Sequence, residues 1–137
     1  MSNDIYQQEL LDLAQFPTGA DRIKNPDVEI ERSHLSCGDK IKLQAKVALG
    51  KLKVSCQVDG CLICQASASL MCREVNGKSR NETQKLISDV DQVLKGSNPP
   101  DSLISLSGVA QFPNRHGCAW LPWQGLSDCI SKLDKLA

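Results

Sequence analysis

Apolar and polar residues alternate along the middle of the chain. Ile41, Leu43, Ala45 and Val47 are separated by polar residues. Gly50-Lys51 follows as a turn, and Leu52, Val54, Cys56 and Val58 alternate again. A period of two sends each set of side chains to one side of a pleated strand, so the spacing predicts an antiparallel hairpin with one buried face. Val28 and Ile30, set between Glu29 and Glu31, predict a further short strand upstream.

On either side the period lengthens. Tyr6, Leu10, Leu13 and Ala14 recur at helical spacing between Asp4 and Gln15, and Pro17 forces a stop. After Gly60-Cys61, Ile63, Ala66, Ala68, Leu70 and Met71 predict a helix. Its Ala66-Ser67-Ala68-Ser69 run is small enough for close backbone packing, and Gly77 ends it. Ser79-Arg80-Asn81-Glu82 has capping-box spacing ahead of Leu86, Val90, Val93 and Leu94, and Gly96 closes that helix. Gly96 to Ser102, with Asn98-Pro99-Pro100, reads as a mobile loop or linker within the domain. Ala119, Trp123, Leu126, Ile130 and Leu133 then predict a last helix that begins just beyond Cys118, with Pro122 in its first turn.

These elements imply an α+β fold: a small antiparallel sheet with helices packed on one face. The 137 residues suit one domain over 1–137, large enough to bury a core without disulfide staples. Sixteen basic and sixteen acidic side chains cancel, so no net field points to nucleic acid or to an anionic membrane. Met-Ser-Asn-Asp-Ile-Tyr lacks the regions of a signal peptide, and no run approaches the ~18 apolar residues of a membrane span. The expectation is a soluble, cytoplasmic protein.

Composition becomes informative at cysteine. Seven cysteines, an odd number, without a secretion signal argue against a disulfide framework and leave metal binding or sulfur chemistry. Cys37, Cys61 and Cys118 each stand where one element hands over to the next, and Asp39 follows Cys37 closely enough to supply a fourth donor. Cys61 and Cys118 fall at expected helix N-termini, where unpaired N–H groups and the helix dipole favour a thiolate. Thiolates with a carboxylate suit zinc or iron better than magnesium or calcium. Cys56, Cys72 and Cys129 read as small buried hydrophobes. Cys64 completes a Cys-x-x-Cys with Cys61 and reads as a bystander thiol, with a redox pair or extra ligand as alternatives. His34 and His116 read as loop histidines, His116 with a secondary reading as a substitute ligand or proton donor beside Cys118. Trp120 and Trp123 read as core or interface aromatics.

Three runs carry a family resemblance. Cys37-Gly38-Asp39-Lys40-Ile41-Lys42-Leu43, then Gly60-Cys61-Leu62-Ile63-Cys64-Gln65-Ala66-Ser67-Ala68-Ser69, then Phe112-Pro113-Asn114-Arg115-His116-Gly117-Cys118 resemble the IscU/NifU N-terminal family of iron–sulfur cluster assembly proteins. The likeness extends from about Tyr6 to the last helix and is nearest to the SufU-type branch. The stretch from Leu94 to Val109 resembles the extra segment of that branch, and Phe112-Pro113-Asn114-Arg115 its Phe-Pro-x-Arg. The Leu-Pro-Pro-Val-Lys motif of IscU proteins is missing. So is the histidine they place before the third cysteine: Gly117 stands there, with His116 one residue further back. His34-Leu35-Ser36 replaces the family's Asn-Pro-x, Val58-Asp59-Gly60-Cys61 its Gly-x-Gly-Cys, and Cys64 a frequent serine.

The resemblance implies a metal site at one end of the fold with Cys37, Asp39, Cys61 and Cys118 as ligands, and Arg115 nearby. It implies zinc, or a transient [2Fe–2S] cluster, at that site. It also implies a cysteine desulfurase that passes sulfane sulfur to the chain, with Cys37 as acceptor, and downstream iron–sulfur acceptor proteins. The chain would then be a sulfurtransferase-like acceptor rather than an independent multiple-turnover enzyme. A cluster scaffold and a zinc-stabilised binding module are the alternatives.

Overall fold

A computed structural model describes residues 2–36 and 38–136, with side chains from Gln7 onward. Tyr6, expected on the inward face of the first helix, and Cys37 are outside the described side chains.

The sheet has three antiparallel strands in the order β1 (Val28–Ser33), β2 (Lys40–Ala48), β3 (Lys51–Asp59). Register aligns Val28, Ala45 and Val54 in one row across the three strands, and Ile30, Leu43 and Cys56 in another. These rows form the buried face that the alternation predicts. The hairpin turn lies one residue earlier than expected, at Leu49-Gly50. Both residues have positive φ, 54° and 75°, the backbone of a two-residue hairpin turn whose twist matches the strands.

All helices pack on the inner face. Helix α2 (Leu62–Val75) covers β3, and the last helix, α4 (His116–Leu136), covers β1 and β2. Helix α1 (Ser2–Gln15) lies on α2, and α3 (Arg80–Leu94) on α4. The small-residue run of α2 does what its size permits. Ser67 Oγ donates to the Ala119 carbonyl at 2.5 Å and accepts from Trp123 Nε1 at 3.0 Å, which ties α2 to α4 through one buried hydroxyl. Trp123 is thereby a fully buried core residue with its polar edge satisfied. Gly125 lets α4 approach the sheet, since a Cβ there would lie 2.7 Å from Ile41 Cδ1. The Ser79–Glu82 capping box at the start of α3 is present as read from the spacing.

Two expectations are corrected. Helix α4 begins at His116, so Cys118 lies inside its first turn and Pro122 sits further in, within the helix rather than at its start. There Pro122 lacks the N–H that would reach the Cys118 carbonyl. The loop expected over Gly96–Ser102 gives way at Asp101 to a 3₁₀ helix, Asp101–Leu106. Leu103 and Leu106 are fully buried, and the segment packs against α1 and α3.

The outer face holds one feature that alternation did not predict. Gln44, a polar position of β2, is fully buried there. Its amide donates to Glu29 Oε2 at 2.8 Å and Gln57 Oε1 at 2.9 Å, and its oxygen accepts from Ser55 Oγ at 2.5 Å. A buried amide is tolerated when its hydrogen bonds are made, as here. The Gln44 amide, more than the Arg22 guanidinium 2.7 Å from Glu29, holds the Glu29 carboxyl below its usual range.

Candidate metal centre

Three chain segments converge at the end of the sheet where β2 begins and β3 ends. The first is the turn into β2. The His34 N–H donates to the Asp39 carbonyl and the Gly38 N–H to the His34 carbonyl, both at 2.8 Å. Gly38 has φ +73° and open space about its Cα, so glycine is needed there for backbone conformation rather than for room. The turn delivers Asp39, only 2% exposed, to the interior.

The second segment is Asp59-Gly60-Cys61. Cys61 is the N-cap of α2, and its sulfur accepts the Cys64 N–H at 3.4 Å. Its own N–H donates to Asp39 Oδ1 at 2.8 Å, and its thiol to Asp39 Oδ2 at 3.1 Å. Gly60 makes this possible: a Cβ there would stand 2.5 Å from Asp39 Oδ1 and 2.6 Å from Cγ. The third segment is the first turn of α4, which carries Cys118, 1% exposed.

Asp39, Cys61 and Cys118 each direct a donor atom to one point, with those atoms all within 4.8 Å of one another. Cys37 belongs to the first segment and is not described. The three placed donors fit a zinc or iron ion in kind: soft sulfur with one hard oxygen, in a pocket where the carboxylate is buried. Such a carboxylate is costly to bury unless it meets hydrogen-bond donors or a cation.

The remaining candidates separate by place. Arg115 is exposed at the end of a 3₁₀ turn, Pro113–Arg115, that leads into α4, and its N–H donates to the Phe112 carbonyl at 2.8 Å. His116 turns back, with Nε2 3.0 Å from the Ala110 carbonyl. The imidazole that lies against Gly117, the residue before Cys118, is that of His34. A Cβ at Gly117 would stand 2.6 Å from His34 Cε1 and 2.8 Å from Cδ2. Sequence reading treated His34 as a loop residue. The available signal was Gly117 where the resemblance to IscU proteins leads one to expect a histidine, together with a histidine three residues before Cys37 in the sequence.

Cys64 is buried in the first turn of α2, outside the group of converging donors. Cys56, Cys72 and Cys129 are buried core thiols. Burial pushes the thiols of Cys72 and Cys129 up to about 12, and that of Cys56 higher still, so none supplies a thiolate near neutral pH. A groove of about 420 Å³ at the sheet, lined by Arg22, Arg32, Lys40, Lys42, Glu31 and Asp59 among others, contains none of the converging donors. Among the described residues no helix is long and apolar enough to cross a membrane.

Comparison with known proteins adds family. The profile of the NifU-like N-terminal domain matches residues 5–117. The chain is 29% identical over 136 residues to the iron–sulfur cluster assembly scaffold protein IscU of Thermotoga maritima, covering 96% of each. It is 27% identical over 134 residues to the zinc-dependent sulfurtransferase SufU of Bacillus subtilis, covering 93% of this chain and 90% of the relative. In three dimensions it matches a NifU-like N-terminal protein from Brucella abortus with a TM-score of 0.89 at 23% identity, over 98% of both chains. A putative SUF-system iron–sulfur scaffold from Fervidobacterium islandicum aligns with a TM-score of 0.82 at 26% identity, over 93% of this chain and 97% of that one.

Proposed function

The chain belongs to the NifU-like N-terminal domain family, and on that footing we propose that it serves iron–sulfur cluster assembly by accepting sulfane sulfur from a cysteine desulfurase. In this reading Cys37 is the acceptor, and zinc is held by Cys37, Asp39, Cys61 and Cys118. The observation that carries the reading is the convergence of Asp39, Cys61 and Cys118 within 4.8 Å at the end of the sheet where β2 begins and β3 ends. The name of the SufU relative, which joins zinc dependence to sulfur transfer, supports it.

Zinc, when bound, favours the thiolate form of its cysteine ligands at neutral pH. The Cys37 thiolate attacks the terminal sulfur of the desulfurase persulfide. A sulfur–sulfur bond forms on Cys37, the donor's sulfur–sulfur bond breaks, and the donor cysteine leaves as a thiolate carrying the electron pair. No net oxidation occurs, so no further reactant is needed. Asp39 would hold the metal through an oxygen donor, one that exchanges more readily than the sulfurs of Cys61 and Cys118. Exposed Arg115 offers a guanidinium to the anionic persulfide or to the desulfurase surface. Downstream iron–sulfur acceptor proteins then receive the sulfur or the finished cluster.

A second reading makes the protein a scaffold, with a [2Fe–2S] cluster as cargo on the same ligands. It is favoured by relatives named as scaffolds at 29% identity.

The deciding experiment measures metal content of freshly purified protein, then incubates it with a desulfurase and free cysteine. Sulfur acceptance predicts about one zinc per chain, faster desulfurase turnover, and a reducible extra sulfur on the Cys37 peptide. Extra sulfur found only on Cys61 or Cys64 overturns the acceptor assignment. A transferable reconstituted cluster without faster turnover selects the scaffold. Neither activity leaves a zinc-stabilised binding module.

A further inference from the structure

Gly117 has no evident backbone reason to be glycine. It occupies the first turn of α4, and its φ is not among the positive values that favour glycine. Alanine is the better helix former. What a side chain there would meet is the imidazole of His34, with Cε1 and Cδ2 at 2.6 and 2.8 Å from the added Cβ and Nε2 in still closer contact. His34 therefore occupies the volume that any other residue at 117 would claim.

The same histidine closes the turn that leads into Asp39. Its N–H reaches the Asp39 carbonyl and its carbonyl receives the Gly38 N–H, each at 2.8 Å. One residue thus touches both sides of the site: through its backbone the turn that ends in Asp39, and through its ring the backbone next to Cys118. His34 lies outside the group of converging donors, and His116 is held on the Ala110 carbonyl.

We propose that His34 is the positioning residue of the metal centre, a wedge seated on Gly117 that fixes the turn ending in Asp39 against Cys118, with Gly117 as its socket. The proposal rests on the ligand set given above but not on sulfur acceptance.

The geometry makes an unusual demand on mutants. Gly117→Ala drives the ring off its seat and shifts the turn, whereas His34→Ala empties the seat and leaves room for a methyl group at 117. The two substitutions together must therefore be less harmful than Gly117→Ala alone. The test compares native protein, G117A, H34A and H34A/G117A, each titrated with zinc alone against a competing chelator and with cobalt(II) read by its thiolate absorption. Circular dichroism monitors folding.

G117A is expected to weaken zinc binding roughly 10- to 100-fold, as loss of a residue that orients ligands does, and to reduce the thiolate-to-cobalt absorption. The double variant is expected to return to the level of H34A. If G117A does not fold, recovery of a cooperative melt in the double variant is the same result read by stability. Native zinc affinity in G117A overturns the proposal. So does a double variant as impaired as G117A, because glycine would then be needed for a reason unrelated to His34. No desulfurase enters this test, so failure of sulfur acceptance would appear only in the peptide-labelling experiment above.

Discussion

Asp39 receives both hydrogens that Cys61 can offer, the backbone N–H on Oδ1 at 2.8 Å and the thiol on Oδ2 at 3.1 Å. The carboxylate is therefore a structural partner of the α2 N-terminus as well as a candidate ligand, and two substitutions separate these roles. Asp39→Asn keeps an oxygen for the Cys61 N–H and should retain most of the stability, yet lose zinc affinity with the charge. Asp39→Ala should keep the fold but also strand that N–H, at a cost of about 1–3 kcal/mol. In a reconstituted cluster form, Asp39→Ala should also prolong cluster lifetime, because the most labile donor is gone. Unchanged zinc affinity, sulfur acceptance and cluster lifetime in both variants would reduce Asp39 to a turn residue.

Gly60 has a narrower role, the admission of the Asp39 carboxyl. Gly60→Ala should displace that carboxyl and destabilise the protein by about 1–3 kcal/mol, as overpacking of a close contact does. Zinc retention should fall in parallel. A melting temperature and zinc content equal to those of the native protein would contradict the close approach.

Arg115 is exposed. Arg115→Ala should keep zinc content and melting temperature within error while slowing desulfurase-dependent labelling of Cys37. Normal labelling would remove Arg115 from the transfer step.

Buried thiols set an alkaline limit on stability. Folding raises the Cys72 and Cys129 thiols from 9.0 to about 12, so the folded state holds protons that the unfolded state releases between those values. Their contribution is fully present below pH 9 and is lost as pH rises towards about 12, at about 1.4 kcal/mol per pH unit for each thiol. Urea unfolding at pH 8 and pH 10 should show this fall, and Cys72→Ala should lessen its slope. An identical pH slope in that variant would refute the assignment to Cys72.

Local period made much of the fold legible. Ile41, Leu43 and Ala45 face the helices because a strand with one buried face has only one workable register, and Ser79 and Glu82 mark the α3 start through contacts three residues apart. Non-local features were less visible. Gln44 looked like an outward polar residue, and only its pairing across to Glu29 and Ser55 shows why it is buried. Leu103 and Leu106 follow Asn98-Pro99-Pro100, whose composition signals a loop but not the packing beyond it. Asp39, Cys61 and Cys118 were singled out by neighbours and spacing. His34 and Gly117 are far apart in sequence, and no local pattern joins them.

The Leu49-Gly50 turn offers an attachment point. Strand β2 runs nine residues from the converging donors to this turn, an extent of about 30 Å, and Leu49 at the tip is fully exposed. A cysteine-free label, an affinity tag or a surface tether placed at Leu49 would stand at the opposite pole from the donors. Gly50, with its positive φ, should stay as it is. Immobilised through that pole, the protein would present its sulfur-bearing end to solution, in one orientation, for every partner tested against it.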